Sequence, residues 1–168
     1  MRLLLLGGTV FLGRHVVDAA RARGHEVVLF HRGRSRPGAF PAGAQIHGDR
    51  NDDDALARLL GAGPWDAVLD TCGYVPRTVR QSARRLAPHA RRYAFVSSVS
   101  VYADWPEASP DENARVATIP NPDAEEITGE TYGALKALCE QAAEEAFPGR
   151  ALVIRPGLIV GPHDPSDR

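Results

Sequence analysis

Short, fully apolar segments alternate with segments of helical spacing along this chain, and this alternation constrains its fold most strongly. An apolar run without polar alternation is typical of a strand buried on both faces, as in a parallel sheet. The strand-like segments are Leu3–Leu6, Glu26–Phe30, Gln45–His47, Asp66–Asp70, Tyr93–Ser97 and Ala151–Arg155. The helical segments are Phe11–Arg23, Asp54–Leu60, Pro76–Leu86 and Thr131–Phe147. This order predicts an α/β fold of Rossmann type, a doubly wound parallel sheet with helices on both faces.

The segments between these elements predict one domain. Residues His31–Ala44 are rich in Arg, Gly and Pro, and the segment from about Asp104 to Thr128 is polar and rich in Pro, so both are expected to be loops. The sequence contains no short-period repeat and no low-complexity tract. We therefore assign residues 1–168 to a single Rossmann-type domain.

The composition excludes several classes of protein. A formal net charge of −1 over 168 residues argues against a basic nucleic-acid-binding arm and against an acidic tail. The apolar start of the chain is stopped by Gly7, so its run of about four residues is shorter than that of a secretory signal. No run approaches the ~18 apolar residues that cross a bilayer. Cys72 and Cys139 stand far apart without metal-ligand spacing, so we expect no metal site, no disulfide framework and a cytoplasmic location.

The segment from Leu6 to Gly13 (L-G-G-T-V-F-L-G) lies between the first strand and the first helix, where a nucleotide phosphate loop would be. Gly7 would make the tight turn, Gly13 would let the helix approach the sheet, and the helix N-terminus would bind a pyrophosphate. Val10 stands where a middle glycine would allow the closest backbone approach. The alternative is an ordinary strand–turn–helix without a ligand. The candidate cofactor contacts of this loop are Gly7, Thr9, Val10, Phe11, Leu12 and Gly13.

The residues after the second strand bear on the type of dinucleotide. No Asp or Glu stands there to bind a ribose 2′-hydroxyl; the chain has His31, Arg32 and Arg34 instead. Because arginine can accept a 2′-phosphate, these residues favour NADP over NAD. The alternative is a solvated loop, since the chain uses Arg throughout.

Two further strand ends supply candidate cofactor contacts. Asp49 and Arg50 follow the third strand, where they would touch an adenine edge or form a turn into the next helix. Thr71 and Cys72 follow the fourth strand. Cys72 would line the cofactor cleft or be a small apolar residue in a loop.

Of the 20 basic residues, 19 are Arg and only Lys136 is Lys. Lys136 lies four residues after Tyr132 on a predicted helix, so both side chains project from one face. A phenol has a pKa near 10, and a nearby ammonium favours its ionised form, which suits proton exchange with an alcohol or carbonyl. A hydroxyl from the strand end F-V-S-S-V-S-V-Y could polarise the same substrate oxygen. The alternative is a surface contact between Tyr132 and Lys136.

The glycine loop, F-V-S-S-V-S-V-Y, Y-G-A-L-K and R-P-G-L-I-V-G-P together resemble the short-chain dehydrogenase/reductase superfamily. They are most similar to its extended branch, the NAD(P)-dependent epimerase/dehydratase family, over residues from Arg2 to about Pro162. The resemblance implies a Rossmann fold and an NAD or NADP cofactor. It also implies Ser98 as the catalytic hydroxyl, because Ser98 stands three residues before the Val of V-Y-A. Tyr132 matches the acid/base, Lys136 its partner and ribose anchor, and Pro156 the R-P motif near the nicotinamide.

The resemblance implies an oxidoreductase-type epimerase, dehydratase or reductase acting on a small molecule, such as a nucleotide sugar or a similar hydroxyl or carbonyl compound. The alternative is a non-catalytic dinucleotide-binding module, either regulatory or RNA-associated. The G-G-T-x-F-x-G form of the loop, with Val10 in place of a glycine, resembles an atypical branch of reductase-like proteins and chloroplast RNA-binding relatives.

The length of the chain differs from the family pattern. Family members run to about twice this size, and their later half carries most of the substrate pocket. We therefore expect weak or absent turnover by this chain alone, or a homodimer that covers the sheet edge. The basic residues on and after the third helix are expected to form a solvated face and not a nucleic-acid site; they are Arg77, Arg80, Arg84, Arg85, Arg91 and Arg92.

Overall fold

A computed structural model gives the structure of the chain and describes residues 1–34, 40, 44–104 and 109–165. Parts of the two predicted loops, residues 35–39, 41–43 and 105–108, lie outside the described residues, as does the chain end at 166–168. The strands are β1 (Arg2–Leu6), β2 (Glu26–His31), β3 (Gln45–His47), β4 (Trp65–Asp70), β5 (Ala90–Val96) and β6 (Ala151–Ile154). The α-helices are α1 (Leu12–Ala22), α2 (Asp53–Gly61), α3 (Pro76–Leu86) and α4 (Tyr132–Ala146).

The strands form one parallel sheet in the order β3-β2-β1-β4-β5-β6. The chain moves outward from β1 in one direction and then returns to β4 on its other side, so the predicted doubly wound Rossmann-type fold is confirmed. In such a sheet a crevice opens where the strand order reverses, at the carboxyl ends of β1 and β4.

Apolar side chains cover both faces of the sheet, which explains why the strands show no polar alternation. Within β1, Leu4 and Leu6 belong to the larger core cluster, which contains residues of α2, α3 and α4. Leu5 points to the opposite face and joins Val17 of α1 and Leu29 of β2. The period of two along one apolar run thus supplies both cores.

The predicted element boundaries agree with the structure to within one residue, except at β5. This strand begins at Ala90 and not at Tyr93, because the backbone of Ala90 and Arg92 pairs with β4 while the Arg91 and Arg92 side chains stay exposed. The sequence pattern predicted a later start because these charged side chains interrupt the apolar run. Asp52 caps the start of α2, since its side chain accepts hydrogen bonds from the amides of Asp54 and Ala55.

Candidate functional site

One cleft of about 1160 Å³ opens at the carboxyl ends of the central strands. It lies at the crevice where this topology places ligands. The sequence candidates reach its wall from every one of the segments singled out above. These residues are Gly7, Thr9, Val10, Phe11, Leu12, Gly13, His31, Arg32, Arg34, Asp49, Arg50, Thr71, Cys72, Ser98, Tyr132, Lys136 and Pro156.

The glycine loop is built on close backbone contact. Gly7 and Gly8 have φ values of +89° and +84°, which side chains rarely adopt. A Cβ on Gly13 would stand 2.0 Å from the Cα of Gly8, so the start of α1 touches the backbone of the loop itself. Val10 is outside this close contact: it is 43% exposed and borders the cleft. The close packing of α1 on the loop therefore depends on Gly8 and Gly13 and does not require a glycine at position 10.

The N-terminus of α1 faces the cleft without a protein cap. Leu12 and Gly13 begin the helix and border the cleft. Within the part of the chain that the structure describes, no side chain caps α1, and its first turn carries no acidic residue. Its first amides and the positive end of its dipole are therefore suited to an anion.

His31, at the end of β2, is held in one tautomer by two hydrogen bonds. Its Nδ1 accepts the backbone N–H of Gly33 at 3.0 Å, so the proton is on Nε2, which contacts Gln45 Oε1 at 2.9 Å. Burial lowers the pKa of His31; its hydrogen bond with Gln45 opposes that shift, and the nearby His47 adds to it. The neutral ring thus fixes the chain turn that leads to the two arginines.

Arg32 and Arg34 are exposed at the rim of the cleft. The backbone N–H of Asn51 lowers the pKa of Asp49, burial opposes this, and the charges of Arg32 and Arg34 lower it further. Both guanidinium groups are therefore close enough to act on Asp49 while remaining open to solvent. This end of the cleft is polar and carries two cations beside one carboxylate.

Thr71 and Cys72 differ in what they offer the cleft. Thr71 joins β4 to β1, because its amide and its hydroxyl both donate to the Leu6 carbonyl, at 3.1 and 2.9 Å. Burial raises the pKa of the Cys72 thiol to about 11, and the thiol lies 3.6 Å from the Arg50 guanidinium. Cys72 is therefore a protonated thiol at neutral pH and borders the cleft as a weakly polar group.

Lys136 is 3% exposed and is held by two backbone carbonyls. Its Nζ donates to Gly73 O at 2.8 Å and to Val96 O at 2.6 Å. The same nitrogen lies 4.2 Å from the centre of the Phe95 ring and 5.3 Å from that of Tyr74. Burial lowers its pKa, against the raising effects of Cys139, Asp70 and Glu140. Two of its three N–H donors are thus committed to neutral acceptors at the cleft wall.

A close backbone contact at Gly133 packs the start of α4, which carries Tyr132, on the segment that carries Ser98. Tyr132 is the first residue of α4. A Cβ on Gly133 would stand 2.1 Å from Ser100 O, so the start of α4 packs directly on the segment that carries Ser98. The Ser98 hydroxyl donates to Ser100 Oγ at 3.0 Å and accepts the Ser100 amide at 3.1 Å. Both candidates border the cleft beside Lys136.

Tyr74 borders the same end of the cleft and was not among the sequence candidates. It is 46% exposed, and burial of its phenol raises its pKa, with a further rise from the neighbouring Tyr132. The signal for it is its position in the loop after β4, two residues beyond Cys72. Tyr74 therefore forms an aromatic wall next to Tyr132 and Lys136.

Arg50 and Arg155 each bind a carboxylate. The Arg50 guanidinium donates to Asp70 at 2.9 and 2.7 Å, so of the two expectations for Arg50 the contact with an adenine edge has no support from its guanidinium. Arg155 donates to both oxygens of Glu140 on α4, while its neighbour Pro156 borders the cleft. The R-P motif thus ties the chain after β6 to the helix that carries Lys136.

Three further features of the described residues concern metal ligands, membrane-spanning helices and the charge of the face that carries α3. Within the described ranges, no group of three or more His, Cys, Asp or Glu is placed to hold a metal ion. No described helix has the length and apolar character needed to cross a membrane. The arginines on and after α3 stand near exposed acids: Arg77 near Glu125, Arg80 and Arg84 near Glu145, Arg85 near Asp53, and Arg91 near Asp66. This face is therefore mixed in charge.

Comparison with known proteins identifies what the chain is similar to. The model of the "NAD dependent epimerase/dehydratase family" matches residues 3–168. A 2′-dehydrokanamycin reductase of Streptomyces kanamyceticus is 32% identical over 166 residues, covering 95% of this chain and 43% of that protein. The chloroplast stem-loop binding protein of 41 kDa b of Arabidopsis thaliana is 31% identical over 114 residues, covering 60% of this chain and 30% of that protein.

Solved structures share the fold. The UDP-glucose 4-epimerase of Bifidobacterium longum, in complex with NAD⁺ and UDP, superposes with a TM-score of 0.71 at 19% identity, covering 92% of this chain and 52% of that one. The chain spans less than half the length of the two curated relatives above and about half of this epimerase. The two curated relatives are a reductase and a chloroplast stem-loop binding protein, the two kinds of protein that the glycine loop resembles.

Proposed function

The chain belongs to the NAD-dependent epimerase/dehydratase family, and we propose that it binds a nicotinamide dinucleotide in the cleft and performs oxidoreductase-type chemistry with Ser98, Tyr132 and Lys136. One observation carries the proposal: the glycine loop, the arginine rim and the Ser98–Tyr132–Lys136 group all border the same cleft. A dinucleotide carries its pyrophosphate at some distance from its reactive nicotinamide ring. In this cleft the glycine loop would bind the pyrophosphate, and the Ser98–Tyr132–Lys136 group would lie at the ring.

The residues present fit the cofactor. A pyrophosphate needs backbone amides and close approach, which Gly7, Gly8 and Gly13 allow and the uncapped start of α1 provides. We propose the pyrophosphate at this loop and the adenosine toward His31, Arg32 and Arg34. The exposed arginines favour NADP over NAD, because they can pair with a 2′-phosphate.

We propose the following roles at the other end of the cleft. When bound, the dinucleotide supplies or removes hydride at a substrate carbon. Tyr132 Oη gives a proton to the substrate oxygen or takes one from it, and Ser98 Oγ donates a hydrogen bond to the same oxygen after turning from Ser100 Oγ. Lys136 keeps its charge beside this site and has one N–H donor left for a ribose hydroxyl.

The proposed substrate is a nucleotide sugar or a similar hydroxyl or carbonyl compound. The relative named as a 2′-dehydrokanamycin reductase and the epimerase structure that holds UDP support this class. Turnover of a panel of nucleotide sugars tests it, followed by nicotinamide absorbance for net oxidation or reduction and by product analysis for epimerisation or dehydration, which leave the dinucleotide unchanged overall. Turnover that Tyr132→Phe abolishes while dinucleotide binding persists supports the enzyme. Because this chain alone is expected to turn over weakly or not at all, the contradicting result is a binding result: no panel member binds the dinucleotide-loaded wild type in calorimetry.

The binding step is tested by calorimetric titration with NADP and with NAD. We expect saturable binding, with NADP tighter, and a loss of at least about tenfold in affinity, roughly 1.4 kcal/mol, for Lys136→Ala. Arg91→Ala is the control, because it removes a single exposed cation that does not border the cleft. Absence of binding of either dinucleotide to the wild type would overturn the proposed function.

A second candidate function is a non-catalytic dinucleotide-binding module. Val10 in the glycine loop and the similarity to the chloroplast stem-loop binding protein favour it. The acids that face the arginines on α3 disfavour an RNA-binding role for that face. Under this alternative the dinucleotide binds, but neither the wild type nor Tyr132→Phe shows turnover. RNA binding that weakens with salt would then be sought by titration.

We also propose a homodimer formed at the open edge of β6 and a cytoplasmic location. Leu152 is 58% exposed and Ile154 is 40% exposed on this edge strand, which invites pairing with a second copy. The two cysteines are free thiols, as suits a reducing compartment. Light scattering after gel filtration tests the dimer; a monomeric mass at all concentrations contradicts it.

A further inference from the structure

A buried network of charged and hydroxyl side chains lies next to the lysine end of the cleft, and the roles proposed above do not use it. Asp70 ends β4 and is fully buried, and Arg50 follows β3 and is 9% exposed. Arg50 donates to both carboxylate oxygens of Asp70. The Tyr93 hydroxyl on β5 donates to Asp70 Oδ2 at 2.7 Å, and the Ser82 hydroxyl on α3 accepts from Arg50. The network therefore joins two strands, the turn between β3 and α2, and a helix.

Stability alone gives little reason for this ion pair. Two buried charges lose their hydration, and well-packed apolar side chains in their place are often neutral or stabilising. Burial acts to raise the pKa of the Asp70 carboxyl. The charge of Arg50 and the hydrogen bonds from Arg50, Tyr93 and the Cys72 amide nevertheless hold this pKa below its ordinary value. Asp70 is thus an anion on which four donors converge. The buried Nε of Arg50 has no hydrogen-bond partner among the described residues, but both oxygens of the Asp70 carboxylate are hydrogen-bonded. A carboxylate held in this way specifies one arrangement of the elements that contact it.

The first route from Asp70 to Lys136 runs through the turn after β4. Asp70 Oδ1 accepts the backbone N–H of Cys72 at 3.0 Å, which fixes the start of this turn. A Cβ on Gly73 would stand 2.5 Å from Phe95 and 3.1 Å from Asp70 Oδ2, so Gly73 is wedged against both. The carbonyl of Gly73 is one of the two acceptors of Lys136 Nζ.

The second route runs through β5. The register of β4 and β5 pairs Asp70 with Phe95, and the Tyr93 hydroxyl ties the same strand to Asp70. Val96 follows Phe95, and its carbonyl is the other acceptor of Lys136 Nζ. Both carbonyls that hold the ammonium therefore belong to segments bound to Asp70.

We propose that Asp70, held by Arg50, is a positioning residue that fixes the Gly73 and Val96 carbonyls and through them the ammonium of Lys136 at the cleft. The importance of this for chemistry rests on the function proposed for Lys136. The placement of the ammonium itself does not need a bound dinucleotide.

The test uses the fact that Lys136 is the single lysine of the chain. Incorporation of [¹³C,¹⁵N]lysine labels this residue alone, and NMR then gives its pKa from the ¹³Cε shift and the exchange rate of its ammonium protons. In the dinucleotide-free wild type we expect a pKa below that of an ordinary lysine, because burial lowers it, and slow exchange. Arg50→Met/Asp70→Leu replaces the pair without leaving a buried charge. In this variant, checked for folding by circular dichroism, we expect Lys136 to turn toward water, its pKa to rise and exchange to quicken on the order of tenfold.

A matched pair of single variants separates positioning from general support. Tyr93→Phe and Ser82→Ala each remove one fully buried hydroxyl from the network. The Tyr93 hydroxyl contacts Asp70, whereas Ser82 contacts Arg50 and not Asp70. We expect Tyr93→Phe to move the Lys136 signal in the same direction as the double variant, by less, and Ser82→Ala to leave it in place. If the double variant does not fold, this pair decides alone.

Two results would overturn the proposal: a folded double variant in which the pKa and exchange rate of Lys136 equal those of the wild type, or equal effects of Tyr93→Phe and Ser82→Ala. The measurements are made without dinucleotide, so a failure of binding in calorimetry leaves them interpretable. In turn, an unchanged Lys136 signal would leave the proposed dinucleotide site standing.

Discussion

The two ends of the cleft are built by different means. At the glycine-loop end, residues Gly7–Gly13, the geometry comes from missing side chains, since Gly8 and Gly13 touch through their backbones. The lysine end, formed by Ser98, Tyr132 and Lys136, has one such close contact, at Gly133, but its geometry also needs side chains and carbonyls contributed by several elements. The first end is local in sequence and sterically fixed; the second is assembled from distant residues.

The difference also concerns charge. The cations near the glycine-loop end, Arg32 and Arg34, are exposed to solvent, so salt screens them. The ammonium of Lys136 is buried and its pKa is lowered by that burial. Substitution of Gly13 should therefore act through shape. Substitution of Arg32 and Arg34 should act through exposed charge, and substitution of Lys136 through charge and pH.

The largest expected effect comes from Gly13→Ala. Its Cβ would stand 2.0 Å from the Cα of Gly8, which is backbone and can yield only if the loop moves. We expect a loss of about 3 kcal/mol in the free energy of unfolding and a fall of at least about 100-fold in dinucleotide affinity. Urea unfolding and calorimetry measure the two quantities.

Gly61→Ala is the control for Gly13→Ala. Gly61 ends α2, has an ordinary φ, and a Cβ there meets nothing within 4 Å. We expect unchanged dinucleotide affinity and a small gain in stability of about 0.5 kcal/mol. Equal effects of the two substitutions would contradict the steric account of the loop.

At the lysine end, Lys136→Met should change how stability depends on pH. In the unfolded chain Lys136 has its ordinary pKa, and in the folded chain burial lowers it. Between the two values the unfolded state binds more protons, so the free energy of unfolding of the wild type rises with pH. The variant lacks this rise. Unfolding of both proteins from pH 7 to 10 gives the difference; parallel curves would argue against a buried, charged lysine.

The arginine rim should control which dinucleotide binds. Arg32→Ser/Arg34→Ser removes both cations that a 2′-phosphate would meet, while NAD has no such group. We expect NADP affinity to fall about tenfold, roughly 1.4 kcal/mol, and NAD affinity to stay the same. Arg91→Ser serves as the exposed control cation. An equal loss of affinity for NADP and for NAD would show that these arginines do not contact the 2′-phosphate.

The smallest effect is expected at His31. Burial lowers its pKa, so its contribution to stability is complete above pH 6.5 and is lost as the pH falls toward the folded value. Protonation also ends the hydrogen bond from Gly33 to Nδ1, which supports the turn to Arg32. We expect NADP binding to weaken a few-fold below the folded pKa of His31. His31→Gln should flatten the dependence of NADP affinity on pH. His25→Gln, at the other end of β2, should keep the wild-type profile.

The contrast between the two ends also explains what the sequence could predict. The strands and helices follow from local apolar periodicity, and the glycine loop from a contiguous motif, so both were predictable. Lys136 was evident because it is the single lysine and follows Tyr132 by four. These signals lie within one element or between neighbouring ones.

The contacts that fix the lysine end lie far apart in sequence. Lys136 binds the carbonyl of Gly73, 63 residues away, and a backbone acceptor leaves no mark in a side-chain pattern. Arg50 was expected at an adenine edge or in a turn. The turn is present, but no signal in the sequence indicated that the guanidinium would bind Asp70, 20 residues away. No local pattern pairs these two residues, because their contact arises from the adjacency of strand ends in the sheet.

One measurement tests whether the two ends form a single dinucleotide site. The labelled Lys136 side chain is followed by NMR as NADP is added to the wild type and to Gly13→Ala. A dinucleotide anchored at the glycine loop must reach the lysine end, so we predict a saturable shift of the ¹³Cε signal in the wild type and none in Gly13→Ala at the same concentration. A wild-type signal that stays in place while calorimetry reports bound NADP would contradict the account.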